Sequence, residues 1–245
     1  MAAESAGQRI LQGSRPVGAA EIIGRRIVSG DLKPGSVLPN LEDLAVELCV
    51  SRLSMREAMK LLAGKGLVDS RPRRGTVVRP RSEWSRLDAD VLVWQIGEVP
   101  NAAFIRSLFE VRSIIEPEAA ALTAVRAPEA ALAGIDRAFS AMAASDPSSP
   151  ESIKADVAFH QAILIGTGNE FLAAFAPAIE TSLTVTFSVQ RAAQPDQDHF
   201  VPSHRAIFDA IKRGDPEGAR QAFRDLLSTA EIDAMAGIRM RGDAK

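Results

Sequence analysis

The sequence predicts a mainly α protein in two parts: an N-terminal winged helix-turn-helix of three helices plus a β-hairpin, followed by an all-α antiparallel helical bundle. Three observations predict it. The hydrophobic period is helical almost throughout and switches to strand-like alternation only around residues 67–79. Charge is uneven: residues 1–80 carry 13 basic against 8 acidic side chains, and the remainder 16 against 23, on a chain of net charge −2. All ten phenylalanines lie beyond residue 100, and Trp84 and Trp94 fall between the halves, so two different cores are being built. A basic head on an acidic body points to a polyanion as the partner of the head.

Composition narrows the classes further. With 46% hydrophobic and 24% charged residues the chain is globular rather than disordered. The single cysteine, Cys49, excludes a disulfide framework and any multi-cysteine zinc or iron–sulfur site. The first twenty residues hold no apolar stretch of signal-peptide length, and no later run is expected to reach a membrane span, so a cytoplasmic location is expected.

Residues 1–15 are small and polar and are expected to be disordered. From Pro16, apolar positions Val17, Ala20, Ile23 and Ile27 recur at helical spacing, with proline at the first turn and Gly30 after the last. A second helix fits Leu41–Leu48, with Asn40 as its N-cap. Ser51 caps a third, which runs to about Lys65 and buries Met55, Ala58, Met59 and Leu62. Two short strands, 67–71 and 76–79, flank the turn Pro72-Arg73-Arg74-Gly75. That completes a winged unit over 16–80, with 81–100 as linker and junction helix. The expected bundle spans 101–238, ahead of a tail at 239–245. Beyond the junction helix at 88–98 its helices are 101–126, 129–145, 151–166, 170–191, 201–213 and 215–238. Prolines or glycines punctuate them, and Pro117 should kink the first.

Within the head, Ser51-Arg52-Leu53-Ser54-Met55-Arg56 occupies the turn that a helix-turn-helix places in the major groove. Arg52 and Arg56 are four apart and share a face opposite the apolar stripe. Ser54 lies between them in sequence and can reach a phosphate or a base. Arg73, Arg74 and Gly75 form the hairpin tip, suited to the minor groove or to phosphate. Lys60 and Lys65 neutralise backbone charge at most. Singly these arginines read as ordinary solvated charge; the joint arrangement of capped helix, tight break, paired arginines and basic tip reads as a double-stranded DNA surface.

Gly30-Asp31-Leu32-Lys33-Pro34-Gly35, then Leu38-Pro39, Leu44-Ala45, Val50-Ser51-Arg52, Arg56-Glu57-Ala58, Leu62, Gly66-Leu67-Val68 and Gly75 resemble the DNA-binding domain of the GntR family of bacterial transcription regulators. The resemblance covers about residues 16–80 and implies that Arg52 and Arg56 contact operator bases while the wing contacts the minor groove. One departure stands out. The family usually has Glu-Arg shortly after Leu-Pro, where this chain has Leu41-Glu42, and an altered operator preference is expected.

In the body, Asp156 and His160 are four apart and share a helix face. A carboxylate and an imidazole at that spacing can supply two ligands to a divalent metal, with His204 as a third; a surface ion pair is the plain alternative. The remaining histidine, His199, sits in an expected loop. Residues Arg112 to Ala120, Asp156-x3-His160, Gly168-Asn169 and the run from His204 to Asp215 resemble the FadR-type effector domain, often called FCD. That resemblance implies a divalent metal, zinc foremost, held by Asp156, His160 and His204. It also implies a small carboxylate effector gripped by the metal and by Arg112. The fourth family ligand would fall near Leu226, which cannot coordinate. The junction from Trp84 to Trp94 is similar to family members that govern sugar-acid catabolism, which implies an aldonate effector such as galactonate. There the tryptophans are expected to pack between the domains. Among Thr181, Ser182, Thr184, Thr186, Ser188 and Gln190, some are expected to meet sugar hydroxyls, whereas Asn169 reads as a helix cap.

Two function classes compete. The favoured one is a homodimeric, metabolite-responsive repressor that presents two heads to a palindromic operator. The alternative is a metal-dependent hydrolase or lyase acting on small carboxylates, which needs a general base that the histidine count does not readily supply. A non-specific architectural DNA binder fits poorly, since the acidic bundle would add nothing to DNA affinity.

Overall fold

A computed structural model describes residues 16–71, 75–96, 102–146, 149–193 and 199–242. The expected disorder of residues 1–15 and the hairpin-tip residues Arg73 and Arg74 lie outside them. The chain divides into two compact units, Met1–Gly97 and Glu98–Lys245.

In the first unit α1 spans Pro16–Ser29, α2 Leu41–Glu47 and α3 Arg52–Gly64. Asn40 caps α2 by accepting from the Asp43 amide, and Ser51 caps α3 by accepting from the Ser54 amide, as their spacing predicts. Strands β1, Val68–Arg71, and β2, Gly75–Val78, pair antiparallel with Val68 opposite Val78 and Arg71 opposite Gly75. A short bridge from Val37 to Val77 adds a third edge to the wing that the hydrophobic period did not reveal.

Of the residues expected to link the domains, 81–96 are described and fall within this unit. A single 3₁₀ turn at Arg81–Glu83 leads to α4, Ala89–Ile96. Asp88 opens α4 by accepting from the amides of Asp90 and Val91. Its carboxylate also receives Lys65 at 2.7 Å, and Asp90 receives the same ammonium at 2.7 Å. Trp84 and Trp94 are buried in the head's own apolar cluster, beside Ile23, Ile27, Met55 and Leu62. This corrects the expectation that they pack between the domains. The cause is Gly24, in the middle of α1: a Cβ there would lie 2.3 Å from the Trp94 ring, so only glycine lets the indole seat against the helix.

The second unit is entirely helical among its described residues: α5 Ala102–Arg126, α6 Glu129–Ala143, α7 Pro150–Gly166, α8 Glu170–Ala173, α9 Ala176–Ala193, α10 Phe200–Lys212 and α11 Pro216–Gly242. α5 packs on α7 and α11, α9 on α7 and α11, and α6 on α7 and α10. α5 runs through Pro117. Ser149 caps α7, and Asn169 caps α8 through the Phe171 and Leu172 amides. The single helix expected over 170–191 is two helices. Pro177 lacks an amide hydrogen and its ring crowds the carbonyl four residues back, so the chain turns at Ala174–Phe175 and restarts. The last helix continues to Gly242, into the expected tail.

By length and composition alone, Glu170–Gln190 is apolar enough to cross a membrane, with mean hydropathy 1.4, contrary to expectation. It is a broken helix, partly buried against α7 and α11. Phe159 is fully buried and Phe139 stacks on Phe208 with centroids 5.5 Å apart; full burial of one such side chain contributes about 1.5–3 kcal/mol. Thr123 ties α5 to α7 by donating to the Ile163 carbonyl at 2.7 Å.

Gly24→Ala is expected to destabilise the head by about 1–3 kcal/mol, because the Trp94 ring must give way. Gly64→Ala, on a helix with nothing within 4 Å of its new methyl, is expected to stabilise by about 0.5–1 kcal/mol. Urea titration monitored by tryptophan fluorescence reads both, and equal effects would refute the role given to Gly24.

Candidate functional site

In the body, three helices bring one polar cluster into an apolar interior. Asp156 and His160 lie one turn apart on α7, His204 is on α10, and all three are about 1–2% exposed. Asp156 Oδ1 is 2.8 Å from His204 Nε2 and 3.6 Å from His160 Nε2, and one ligand atom from each residue lies within 4.8 Å of the other two. None of those three atoms makes a hydrogen bond.

The reason is that the far nitrogen of each ring is already engaged. His204 donates its Nδ1–H to the Phe200 carbonyl at 2.7 Å, and His160 donates its Nδ1–H to Glu116 Oε2. A neutral imidazole that donates from Nδ1 carries its lone pair on Nε2. With both rings neutral, two lone pairs and a carboxylate oxygen face one another. Buried polar atoms are rarely left in that state, and the donor set of one carboxylate and two imidazoles is one that a divalent metal takes. The residues fit a metal.

Glu116 was missing from the sequence-based site, although it lies four residues after Arg112 on α5, one helical turn away. Its carboxylate holds Arg112 Nε at 2.5 Å with Oε1 and orients His160 with Oε2. An outer carboxylate of this kind fixes a ligand's tautomer. Arg112 is 1% exposed, its guanidinium lies 5.4 Å from the Phe109 ring centre, and its Nη2 has no hydrogen-bond partner. With both oxygens occupied, Glu116 is not poised as a general base.

Burial works against charge here and is outweighed. Burial alone would lower the His160 pKa, yet Glu116 and Asp156 on either side push it up to about 9. Burial would raise Asp156, and the two histidines hold it below the usual carboxylate range. Burial would likewise raise Glu116, and Arg112 and then His160 hold it down.

The helix of small polar residues resolves individually. Thr181, Thr184 and Thr186 donate to backbone carbonyls four residues back, Ser188 donates to Val185, and Gln190 donates to Ala230. Ser182 differs: its hydroxyl is buried without a partner. So is that of Ser152, which the sequence did not single out and which shares the Asp156–His160 face one turn earlier. His199 faces Asp233 at 3.6 Å and is 44% exposed, apart from the cluster's set of ligands. Leu226 is buried and supplies carbon only.

In the head, Arg52 and Arg56 are exposed on α3. The Ser54 hydroxyl is 2.9 Å from that of Ser51, within the cap. Gly75 adopts φ +78°, a conformation that favours glycine, where strand β2 begins.

A winged helix-turn-helix in one unit, with a helical second unit that buries a ligand-type cluster, defines the class of DNA-binding transcription regulators. The family model for bacterial regulatory proteins of the gntR family matches residues 17–78, and that for the FCD domain matches 107–229. The chain is 32% identical over 211 residues to the galactonate operon transcriptional repressor of Escherichia coli (strain K12), covering 85% of this chain and 91% of that protein. It is 33% identical to Mce2R of Mycobacterium tuberculosis (strain CDC 1551 / Oshkosh), covering 94% and 95%. Among solved structures, Lar, which controls the expression of the Listeria monocytogenes agr system, shares the fold with a TM-score of 0.63 at 19% identity, covering 90% of this chain and 96% of that one. The chain belongs to the GntR family and carries its FCD domain; it is a DNA-binding transcription regulator and not an enzyme.

The raised His160 pKa fixes a sign. Metal-free protein keeps that contribution to stability below the ordinary value of 6.5 and loses it as pH rises through about 9. A metal needs the deprotonated ring, so the stabilisation gained from added zinc is expected to grow across the same interval. Urea titrations at pH 6.5 and 9, with zinc and with chelator, test this; a zinc effect independent of pH would count against these ligands.

Proposed function

We propose that the protein is a homodimeric, cytoplasmic repressor of sugar-acid catabolism that leaves its operator when a small aldonate, galactonate or a close relative, occupies the body. The observation that carries this is the set of buried side-chain atoms left without hydrogen bonds. Among the described residues they are Asp156 Oδ1, His160 Nε2, His204 Nε2, Arg112 Nη2 and the hydroxyls of Ser152 and Ser182, and all belong to the second unit. Three suit a divalent metal, zinc by ligand type; a guanidinium nitrogen suits a carboxylate; hydroxyls suit hydroxyls. The similarity to a galactonate operon repressor supports the same ligand class.

Asp156, His160 and His204 would hold the metal, which when bound supplies positive charge and open coordination positions for a carboxylate and its neighbouring hydroxyl. Leucine at position 226 adds no further ligand. Arg112, fixed through Nε by Glu116, offers Nη2 to the same anion. In the head, Arg52, Ser54 and Arg56 would meet the major groove, with Arg73, Arg74 and Gly75 on the wing at the minor groove or phosphate. Release requires the effector to bind the DNA-free arrangement more tightly than the DNA-bound one, since equal affinity shifts nothing.

Arg56→Ala is expected to lose about 1–3 kcal/mol of operator discrimination at fixed salt. His160→Ala is expected to retain operator binding and lose effector release. Mobility shifts against a panel of aldonates, with and without chelator, read both. Release that survives in the His160 variant, or that ignores chelation, would refute the site as sensor.

A further inference from the structure

The strongest unassigned feature is a carboxylate paired with an arginine at the start of α3. Glu42, in the first turn of α2, forms an ion pair with Arg52, the first residue of α3, through Oε1 and Nη2. Their side chains are 53% and 68% exposed. An exposed ion pair of this kind contributes only about 0–1 kcal/mol to stability. On a surface that approaches phosphate the carboxylate also weakens DNA affinity, because its charge offsets that of the arginine. Folding therefore gives little reason for it.

The chemistry of a base-pair edge gives one. A carboxylate only accepts, and the major groove offers donors only at the cytosine N4 and adenine N6 amino groups. Read across, the major-groove edge of a G·C pair presents guanine N7 and O6 as acceptors, then cytosine N4 as donor. A guanidinium held beside a carboxylate presents the complement: two N–H donors followed by an oxygen acceptor. The ion pair uses one hydrogen of Nη2, so the guanidinium keeps a second Nη2 hydrogen and those on Nη1 for a forked contact. Glu42 also biases where the guanidinium sits, which lowers the ordering that Arg52 needs on binding.

We propose that Glu42 and Arg52 act together as the reader of one G·C base pair, Arg52 bonding guanine and Glu42 accepting from the N4 amino group of its cytosine. This rests on the assignment of Arg52 to the major groove. It makes Glu42 a specificity-determining residue that favours one base pair while lowering affinity for DNA in general.

The test is selection from a randomised double-stranded library by the full-length protein and by Glu42→Gln, Glu42→Ala and Arg52→Ala. Affinities for the selected site and for single base-pair changes then follow at several salt concentrations. Circular dichroism confirms that each variant folds, and Glu42 is exposed enough that both variants should. The expected result is that Arg52→Ala erases preference at one G·C pair. Glu42→Ala should reduce preference at that same pair roughly tenfold and Glu42→Gln by less, since its amide oxygen still accepts; both should bind non-specific DNA more tightly and show a salt slope steeper by about one. If Arg52→Ala erases a preference that both Glu42 variants retain, Arg52 reads alone and the proposal is overturned. If Arg52→Ala leaves every preference intact, the assignment of Arg52 to the groove fails, and the joint reader with it.

Discussion

The body is organised around a line of buried charge: Arg112, Glu116, His160, Asp156 and His204, each within contact distance of the next member or of Asp156. Removing ions from water costs several kcal/mol each, and mutual attraction recovers this only when the geometry is good. With both imidazoles neutral, one guanidinium and two carboxylates leave the line at a net charge of −1. A divalent cation would turn that to +1, and one carboxylate anion would then bring it to zero. The same group is thus uncomfortable alone, attractive to an anion once loaded, and balanced only when both have arrived. The raised pKa of His160 expresses the same imbalance: without a metal, a proton is the cation at hand.

That line explains what the sequence could and could not reveal. Asp156 and His160 were legible because helical spacing puts them on one face regardless of tertiary structure. His204 followed from scarcity, since the chain has only three histidines. Glu116 was not legible as a site residue. Its spacing from Arg112 suggests a routine helix ion pair, and only the packing of α5 on α7 turns its second oxygen toward His160. Ser152 escaped for a related reason: a serine in the first turn of a helix usually serves its own backbone. In the head, the capped helices were readable because Asn40 and Ser51 act locally. The wing's third edge at Val37 was not, because one bridge leaves no alternation to detect.

Trp94 shows how a single small residue redirects a reading. Two tryptophans between a basic and an acidic half look like mortar between domains. The informative residue was elsewhere, at Gly24, where an amphipathic helix gives up a side chain on a buried position. Glycine there weakens the helix by roughly 0.5–1 kcal/mol relative to alanine, and burial of an indole offsets that loss. α4 is thereby part of the head's fold, and its contacts with Lys65 lie just beyond the C-terminal end of α3.

The two sites share one device. In each, an arginine meant for a polar partner is already paired with a carboxylate: Arg112 with Glu116 in the interior, Arg52 with Glu42 at the surface. A bare guanidinium attracts any phosphate or carboxylate and tolerates many geometries. A paired one has less net charge to offer and a preferred orientation, so its remaining donors favour a partner that fits them and gain little from one that does not. Discrimination is a difference between affinities, and lowering the affinity for wrong partners serves it as well as raising the affinity for the right one. For a regulator that must find one site among many similar polyanions, that loss of general attraction is what allows selectivity, and the proposed effector would place the same demand on Arg112.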